Sequence, residues 1–460
     1  MSTGRFHSLA SKTGEALFAP IDLSPLVYFR VLFGAIMLWE VARYLSHDWI
    51  ERYYIDPDFF FTYMGFGWVK PWPGNWMYVH FLALGILAVF IMLGLWYRIS
   101  IILFFIGFTH VFLIDMANYL NHFYLISLIS FLLIFMPAHR GGSLDALRHP
   151  EIRAKTGPSW PLWLLRAQLG IVYFYGGIAK INADWLRGEP MRMWLAKRTD
   201  FPLIGPYFTE PWAPYLFSYG GLLLDLLIVP FLLWRRTRMA AFAVGVVFHL
   251  TNARLFDIGI FPWFMIGATL LFFDPNQFRP FRRRIDKLLA VPKAGRGPIP
   301  SPSSLHKRIT VSALVFYLTL QLLIPLRHWL YPGNVHWTEE GHNFSWHMKL
   351  RDKRGTLELV ATDPATGETW TINQRKYLSS RQRRKMRTRP DMILLFCHHL
   401  EKELSTKSHQ NVEIHTVTNI SLNGRAHQLL VDPTLDLTTV RRSILPSSWI
   451  VPLENPLERQ

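Results

Sequence analysis

The stretch WPLWLLRAQLGIVYFYGGIAKINADW, Trp160 to Trp185, decides the fold. It is apolar almost throughout from Trp160 to Tyr175, passes through Gly176 and Gly177, and then delivers a single lysine, Lys180, about one membrane thickness from its start. An ammonium at such a place either reaches out to the interface as an anchor or loses its proton, because desolvation disfavours the charged form. The surroundings exceed what anchoring needs. Two glycines allow a backbone or a flat ligand to approach, and Asn182, Asp184, Arg187 and Glu189 follow within nine residues.

Working outward, half of the 460 residues are hydrophobic, with 34 Phe and 18 Trp, and only 18% are charged. The chain therefore reads as a polytopic α-helical membrane protein. Spans are expected near 23–43, 79–97, 99–115, 119–136, 161–180, 212–234, 239–252, 256–273 and 309–330, about nine in all. Met1 to Leu23 has neither a continuous apolar core nor a small-residue cleavage site, so no cleaved signal is expected there.

Charge sets the orientation. With a cytoplasmic N-terminus, the cytoplasmic loops hold Arg98, the group Arg140 to Lys155, Arg235 to Arg238, and the richest run from Arg279 to Arg308. The opposite loops are poorer, so the positive-inside rule places Lys180 and everything after Leu330 on the exported side. This distribution also accounts for much of the formal charge of +17, and nucleic acid is not expected as a partner. A second basic run, Arg375 to Arg389, falls on the exported side and reads either as a solvated face or as a dock for an acidic polypeptide.

Two domains follow: a transmembrane catalytic domain, 1–330, and an exported soluble domain, 331–460, for peptide binding or support, with a Pro, Gly and Ser-rich linker at 295–304 before the last span. The exported part reads as α+β or β-sandwich-like. Strands are expected at 343–350, 356–362 and 369–373, an amphipathic helix over 391–404, and strands 411–422 and 426–431 around the hairpin signal Asn423-Gly424. The one cysteine, Cys397, excludes an intrachain disulfide and falls on the apolar face of that helix, a core position.

Polar residues within the spans gather at the Lys180 end: His110, Asp115, Asn118, Asn121 and His122 at one turn, His249, Asn252 and Asp257 at another. Together they suggest a buried polar pocket. A metal bound by His110, His122 and His249 is conceivable, but no helical His pair supports it and no metal is expected. Arg30, Glu40, Arg43 and Asp225 read as intramembrane charges paired with neighbours.

These residues carry a resemblance. Asn121 to Leu125, Tyr173 to Met191 around Lys180, Phe248 to Asn252 with Leu255 to Gly259, and Gln321 to Trp337 running into Phe344-Ser345-Trp346 resemble the vitamin K-dependent gamma-glutamyl carboxylase family. Its bacterial relatives are often described as carrying a horizontally transferred transmembrane domain. The resemblance implies that Lys180 is the catalytic base and that His122 assists carboxylation. It maps Asn121, Tyr173, His249 and Asn252 onto the substrate pocket. It also implies reduced vitamin K (the hydroquinone), O2 and CO2 as co-substrates, with a glutamate-containing peptide or protein on the exported side, and membrane lipid and quinone, as partners.

The chemistry fits the residues. A quinol hydroxyl is about as acidic as tyrosine, so a neutral lysine can deprotonate it, and the strongly basic product of its oxidation survives only where water is excluded. The chain is shorter than the animal enzymes, its exported part is compact and cysteine pairs are absent; a cysteine-poor exported domain fits either compartment, and the compact length favours a bacterial inner membrane. Two other readings stay open: a quinol epoxidase or oxygenase of the same fold without protein carboxylation, and a non-enzymatic lipid-binding or transport protein.

Overall fold

A computed structural model describes residues 15–290, 299, 302–407 and 412–457. Of the expected linker at 295–304, only 299 and 302–304 lie within the described residues.

Helices form at every apolar stretch. They are α1 (Ser24–Ser46), α2 (Trp76–Leu93), α3 (Tyr97–Ile114), α4 (Asn121–Phe135), α5 (Trp160–Ile178), α6 (Ala213–Leu233), α7 (Arg238–Phe256), α8 (Phe261–Thr269) and α9 (Ser304–Leu326). Proline starts four of them, Pro25, Pro161, Pro214 and Pro262, where its fixed φ suits the first turn and its missing N–H costs nothing.

Among the described residues six helices are long and apolar enough to cross a membrane: α1, α2, α3, α6, α7, and α9 with its extension to Leu330. Nine crossings are therefore not confirmed, for physical reasons. The helix Asn121–Phe135 and the apolar run Phe261–Phe272 are too short. At about 1.5 Å per residue they rise only about 22 and 18 Å against a core of about 30 Å. The 19 residues of α5 are long enough, yet Arg166 and Gln168 interrupt them. Arg166 Nε donates to Leu271 O at 2.8 Å, and Gln168 Oε1 accepts from Tyr317 of α9 at 2.6 Å. The long helices leave apolar side chains uncovered, among them Ile86, Ile106, Leu223, Val247 and Phe316, as lipid-facing surfaces do.

The intramembrane charges on α1 find partners as expected. Arg43 Nη1 donates to Glu40 at 2.5 Å, and fully buried Arg30 donates to Ala138 O at 2.9 Å and to Gly142 O.

After α9 the chain builds one antiparallel sheet, order β2-β1-β3, from β1 (Lys353–Thr362), β2 (Thr369–Thr371) and β3 (Glu413–Leu422). The β1/β3 register runs from Lys353↔Leu422 to Thr362↔Glu413. Strand alternation buries Leu357, Leu359 and Ala361 on β1 and Ile414, Ile420 and Leu422 on β3. A short basic helix, α10 (Ser380–Met386), precedes α11 (Pro390–Lys407), which packs on β3. A single sheet with helices makes this region α+β rather than a sandwich among the described residues.

Two expected strands are absent. Residues 343–350 form turns in which Phe344, Trp346 and Lys349 take φ of 64°, 59° and 50°, a conformation no strand tolerates. Phe344 and Trp346 instead pack on Tyr124 of α4, with ring centroids 4.9 Å away in each case. The segment 426–431 makes only two isolated bridges, Gln428 to Ile420 and Val431 to Ile450. Between them Asn423 and Gly424 both have positive φ, 53° and 83°, as their sequence predicts.

The C-terminal region is fastened to the helices by specific contacts. Asn121 Nδ2 donates to His347 O at 3.0 Å, Phe344 N donates to Tyr119 Oη at 2.7 Å, and Gln382 Nε2 donates to Asp115 Oδ2 at 3.0 Å.

Candidate active site

Lys180 follows the end of α5, and the two glycines before it explain how it meets a partner. A Cβ on Gly177 would lie 2.6 Å from Leu226 Cδ2 and 3.2 Å from Leu226 N, and one on Gly176 would lie 3.1 Å from Asp225 Oδ2. Only glycine lets α6 come this close. What approaches the glycines is thus a helix backbone, and it carries Asp225 with it. Lys180 Nζ donates to Asp225 Oδ2 at 2.6 Å and to Gly176 O at 2.9 Å, with the Trp185 ring centroid 5.5 Å away. Asp225 read from sequence as a charge paired somewhere; its partner is Lys180 itself.

The polar residues after Lys180 divide their tasks. Asn182 Oδ1 accepts from Trp185 N at 3.0 Å, capping the short helix Ala183–Leu186. Asp184 turns away from Lys180 to Arg425, whose Nη1 and Nη2 each lie 2.6 Å from its oxygens, and accepts from Asn423 Nδ2 at 2.8 Å. Burial works against the Asp184 charge, but Arg425 and Asn423 hold its carboxyl below the usual range. Glu189 pairs with Arg192 at 2.9 Å.

Lys180 and Asp225 open into a cavity of about 340 Å³, at the small end of the usual range for ligand sites. Tyr173, His249 and Asn252 line it with Val172, Phe248, Phe261 and Met265, so its walls are mostly apolar. Tyr173 Oη lies 2.7 Å from His249 Nε2 and 3.3 Å from Thr269 Oγ1, a polar chain along one wall. Four of the sequence-predicted site residues, Lys180, Tyr173, His249 and Asn252, therefore share one chamber.

Asn121 and His122 line a second cavity of about 590 Å³. Phe256, Ile258, Phe261, Met348 and Lys349 border both, so the chambers adjoin. His122 stacks on the Phe261 ring of this shared wall, with centroids 5.9 Å apart. The second chamber is cationic: Arg43, Lys349, Arg351, Lys353, Arg381, Arg384, Lys385 and Arg389 line it. Glu339 answers Arg351, accepting from its Nε at 2.7 Å, and lies 3.8 Å from Lys353 Nζ. Burial pulls the Lys353 ammonium down to about 7, and neighbouring Arg389, with burial, holds Lys385 well below the usual lysine range. Part of the basic run Arg375 to Arg389 is thus the wall of a cavity rather than a wholly solvated face.

The residues once considered together as metal ligands are apart. His110 Nε2 contacts Lys70 O at 2.9 Å beside the rings of Trp72 and His80, whereas His122 and His249 line different chambers. Sequence reading missed the cations Lys349, Arg351 and Lys353, the first in an expected strand and the others between two expected strands. It also missed a cluster of His336, His342 and His347, whose close spacing after the last span was the available signal.

A bundle of apolar helices that holds a buried Lys–Asp pair beside a cationic chamber, closed by a sheet-containing C-terminal region, defines a polytopic membrane protein of enzyme-like build. Family comparison is specific. The family model described as HTTM domain matches residues 18–277, and that described as vitamin K-dependent gamma-carboxylase, lumenal domain, matches residues 306–456. The chain belongs to the vitamin K-dependent gamma-glutamyl carboxylase family. No solved structure matches it.

Proposed function

We propose that the protein is a vitamin K hydroquinone-dependent gamma-glutamyl carboxylase, with Lys180 as base in the first chamber and the peptide glutamate received in the second. The observation that carries this reading is the Lys180–Asp225 pair in an apolar cavity whose wall is shared with a cationic one. The first chamber fits a flat two-ring headgroup: its walls are apolar, and Tyr173, His249 and Asn252 offer polar atoms at its edge. When bound, the reduced quinone supplies, with O2, the strong base that removes a γ-proton from glutamate, and CO2 then adds.

The chain's own part is proton handling, orientation and exclusion of water. Asp225 Oδ2, 2.6 Å from Lys180 Nζ, holds the lysine head at the chamber. The neutral amine can accept a hydroxyl proton from a ligand in the cavity. Phe248, Phe261 and Met265 keep bulk water out. In the second chamber, Arg351, Lys353 and Arg389 attract carboxylate groups, and His122, stacked on Phe261 of the shared wall, is the group we assign to carboxylation.

We further assign 1–330 as the catalytic membrane domain and 331–460 as the exported one. Nine crossings and a cytoplasmic N-terminus accord with the arginine-rich loops, and we assign the protein to a bacterial inner membrane.

The test uses purified protein in detergent with vitamin K hydroquinone, labelled bicarbonate and a glutamate-rich peptide. Epoxide together with labelled peptide is the expected result. Epoxide without label in any peptide tried would favour a quinol oxygenase, and neither product would leave a lipid-binding protein.

A further inference from the structure

His336, on the short helix Val335–Thr338, and His342 and His347, in the turns that follow, converge beside the second chamber, which His342 and His347 line. All three are buried, at 3%, 5% and 4% exposure. One ligand atom from each lies within 4.8 Å of the others, and the ring of His347 is 5.3 Å from that of His336 and 5.2 Å from that of His342. Their unmet polar atoms are the telling feature. Nδ1 of His336, Nδ1 of His342 and both ring nitrogens of His347 have no hydrogen-bond partner. Buried polar atoms are nearly always paired, so four orphaned nitrogens in one place call for a missing partner. A neutral imidazole keeps one ring nitrogen lone pair, which is what a metal takes.

We propose that His336, His342 and His347 form a binding site for a divalent transition cation of the kind imidazole prefers, for which zinc is the probe. Three protein nitrogens leave a fourth position open, as in catalytic zinc sites, and here it would face the second chamber. Tetrahedral ligands at about 2.1 Å from zinc lie about 3.4 Å from one another, so nitrogens now within 4.8 Å must draw together on binding.

The neighbouring charges oppose and assist. Arg351 Nη1 contacts His342 Nε2 and must withdraw, so that Nε2 carries the ring proton while the unpaired Nδ1 binds the metal. Lys353 and Arg389 lower affinity, whereas the Glu339 carboxylate, 4.0 Å from His342 Nδ1, offsets them. The site departs from the expectation of no metal, and it does not rest on the quinol reading.

The experiment measures metal content rather than turnover. Full-length protein carrying a tag without histidine is stripped with a chelator, returned to zinc, dialysed, and assayed by elemental analysis; cobalt(II) loading is followed by its visible d–d bands. Wild type should retain one zinc per chain and give the cobalt spectrum. His347→Ala and His347→Asn should each weaken zinc binding by about tenfold or more. Exposed His427→Ala should not, and it controls for adventitious binding among the 18 histidines. Elution of each variant as wild type on size exclusion shows that it folds. Stripped wild type that takes up no zinc at micromolar concentration would overturn the site, as would folded His347 variants that bind zinc like wild type.

Discussion

Lys180 Nζ and Asp225 Oδ2 lie 2.6 Å apart with both side chains under one-tenth exposed, joining the end of one helix to the middle of another. A pair so placed holds the lysine in one position. Removing the carboxylate would leave buried Lys180 without its partner, a loss of about 3–5 kcal/mol in comparable pairs. Asp225→Asn should therefore lower thermal stability and abolish quinol epoxidation, as should Lys180→Ala, for which an added small amine should restore part of the rate. Full epoxidation by either folded variant would remove the pair from the mechanism.

The same geometry makes Gly177 a steric test. Its missing Cβ is what admits Leu226, whose backbone nitrogen would stand 3.2 Å from an added methyl group. Gly177→Ala should push α6 from α5, costing about 1–3 kcal/mol, and should lower epoxidation by lengthening the Lys180–Asp225 contact. A variant with wild-type melting temperature and wild-type rate would show that the helices need no such close approach.

His122 and Lys180 occupy different chambers, which separates their expected effects. His122→Ala should cut peptide carboxylation by about tenfold to a hundredfold while leaving epoxide formation largely intact. Both products are to be measured in one tube. Equal loss of both would place His122 in the quinol site instead.

Asp184 and Arg425 fasten the turn at Asn423 to the end of the helical bundle, and their pairing gives a pH dependence with a definite sign. The folded carboxyl titrates below its unfolded value of about 3.9, so the unfolded chain binds more protons between the two. Its contribution to stability is thus fully present above about pH 4 and is lost as pH falls through the lower folded value. Asp184→Asn should cost about 3 kcal/mol at neutral pH, read as a lower melting temperature, and should flatten the acid limb of stability against pH. An unchanged acid limb would show that the pair does not couple to folding.

How legible this was in the sequence differs by element. Helices were readable because apolar runs closed by Pro and Gly specify them locally, and Cys397 was readable because 391–404 has a clear inward stripe. Crossing number was not, since apolar content alone does not show that Asn121–Phe135 and Phe261–Phe272 are too short, or that Arg166 and Gln168 interrupt α5 and bond to Leu271, Phe273 and Tyr317. The first chamber was half legible: Lys180, Tyr173, His249 and Asn252 could be named, but Asp225, 45 residues from Lys180, is brought there by glycine packing that no local pattern records. The turns of 343–350 read as a strand from their aromatics, because positive φ at Phe344, Trp346 and Lys349 is imposed by tertiary contacts rather than by glycine. With that strand misread, the histidine cluster and the cations of 349–353 could not be seen to face a cavity.

Cys397 lies in the core of the C-terminal region at 0% exposure and lines neither chamber. Burial, together with the charge of Asp436, pushes its thiol above the usual range, so it carries almost no thiolate at neutral pH. Two results follow. Maleimide applied to the folded protein should leave quinol turnover unchanged and label Cys397 only after denaturation. Cys397→Ser should cost about 1–3 kcal/mol, because a hydroxyl replaces a thiol among Phe396, Leu400 and their neighbours without an assured partner, yet the folded fraction should turn over quinol at the wild-type rate. Loss of turnover in a folded Cys397→Ser variant, or inhibition by maleimide at native pH, would mean that a thiol takes part in the reaction and that Lys180 does not act alone as its base.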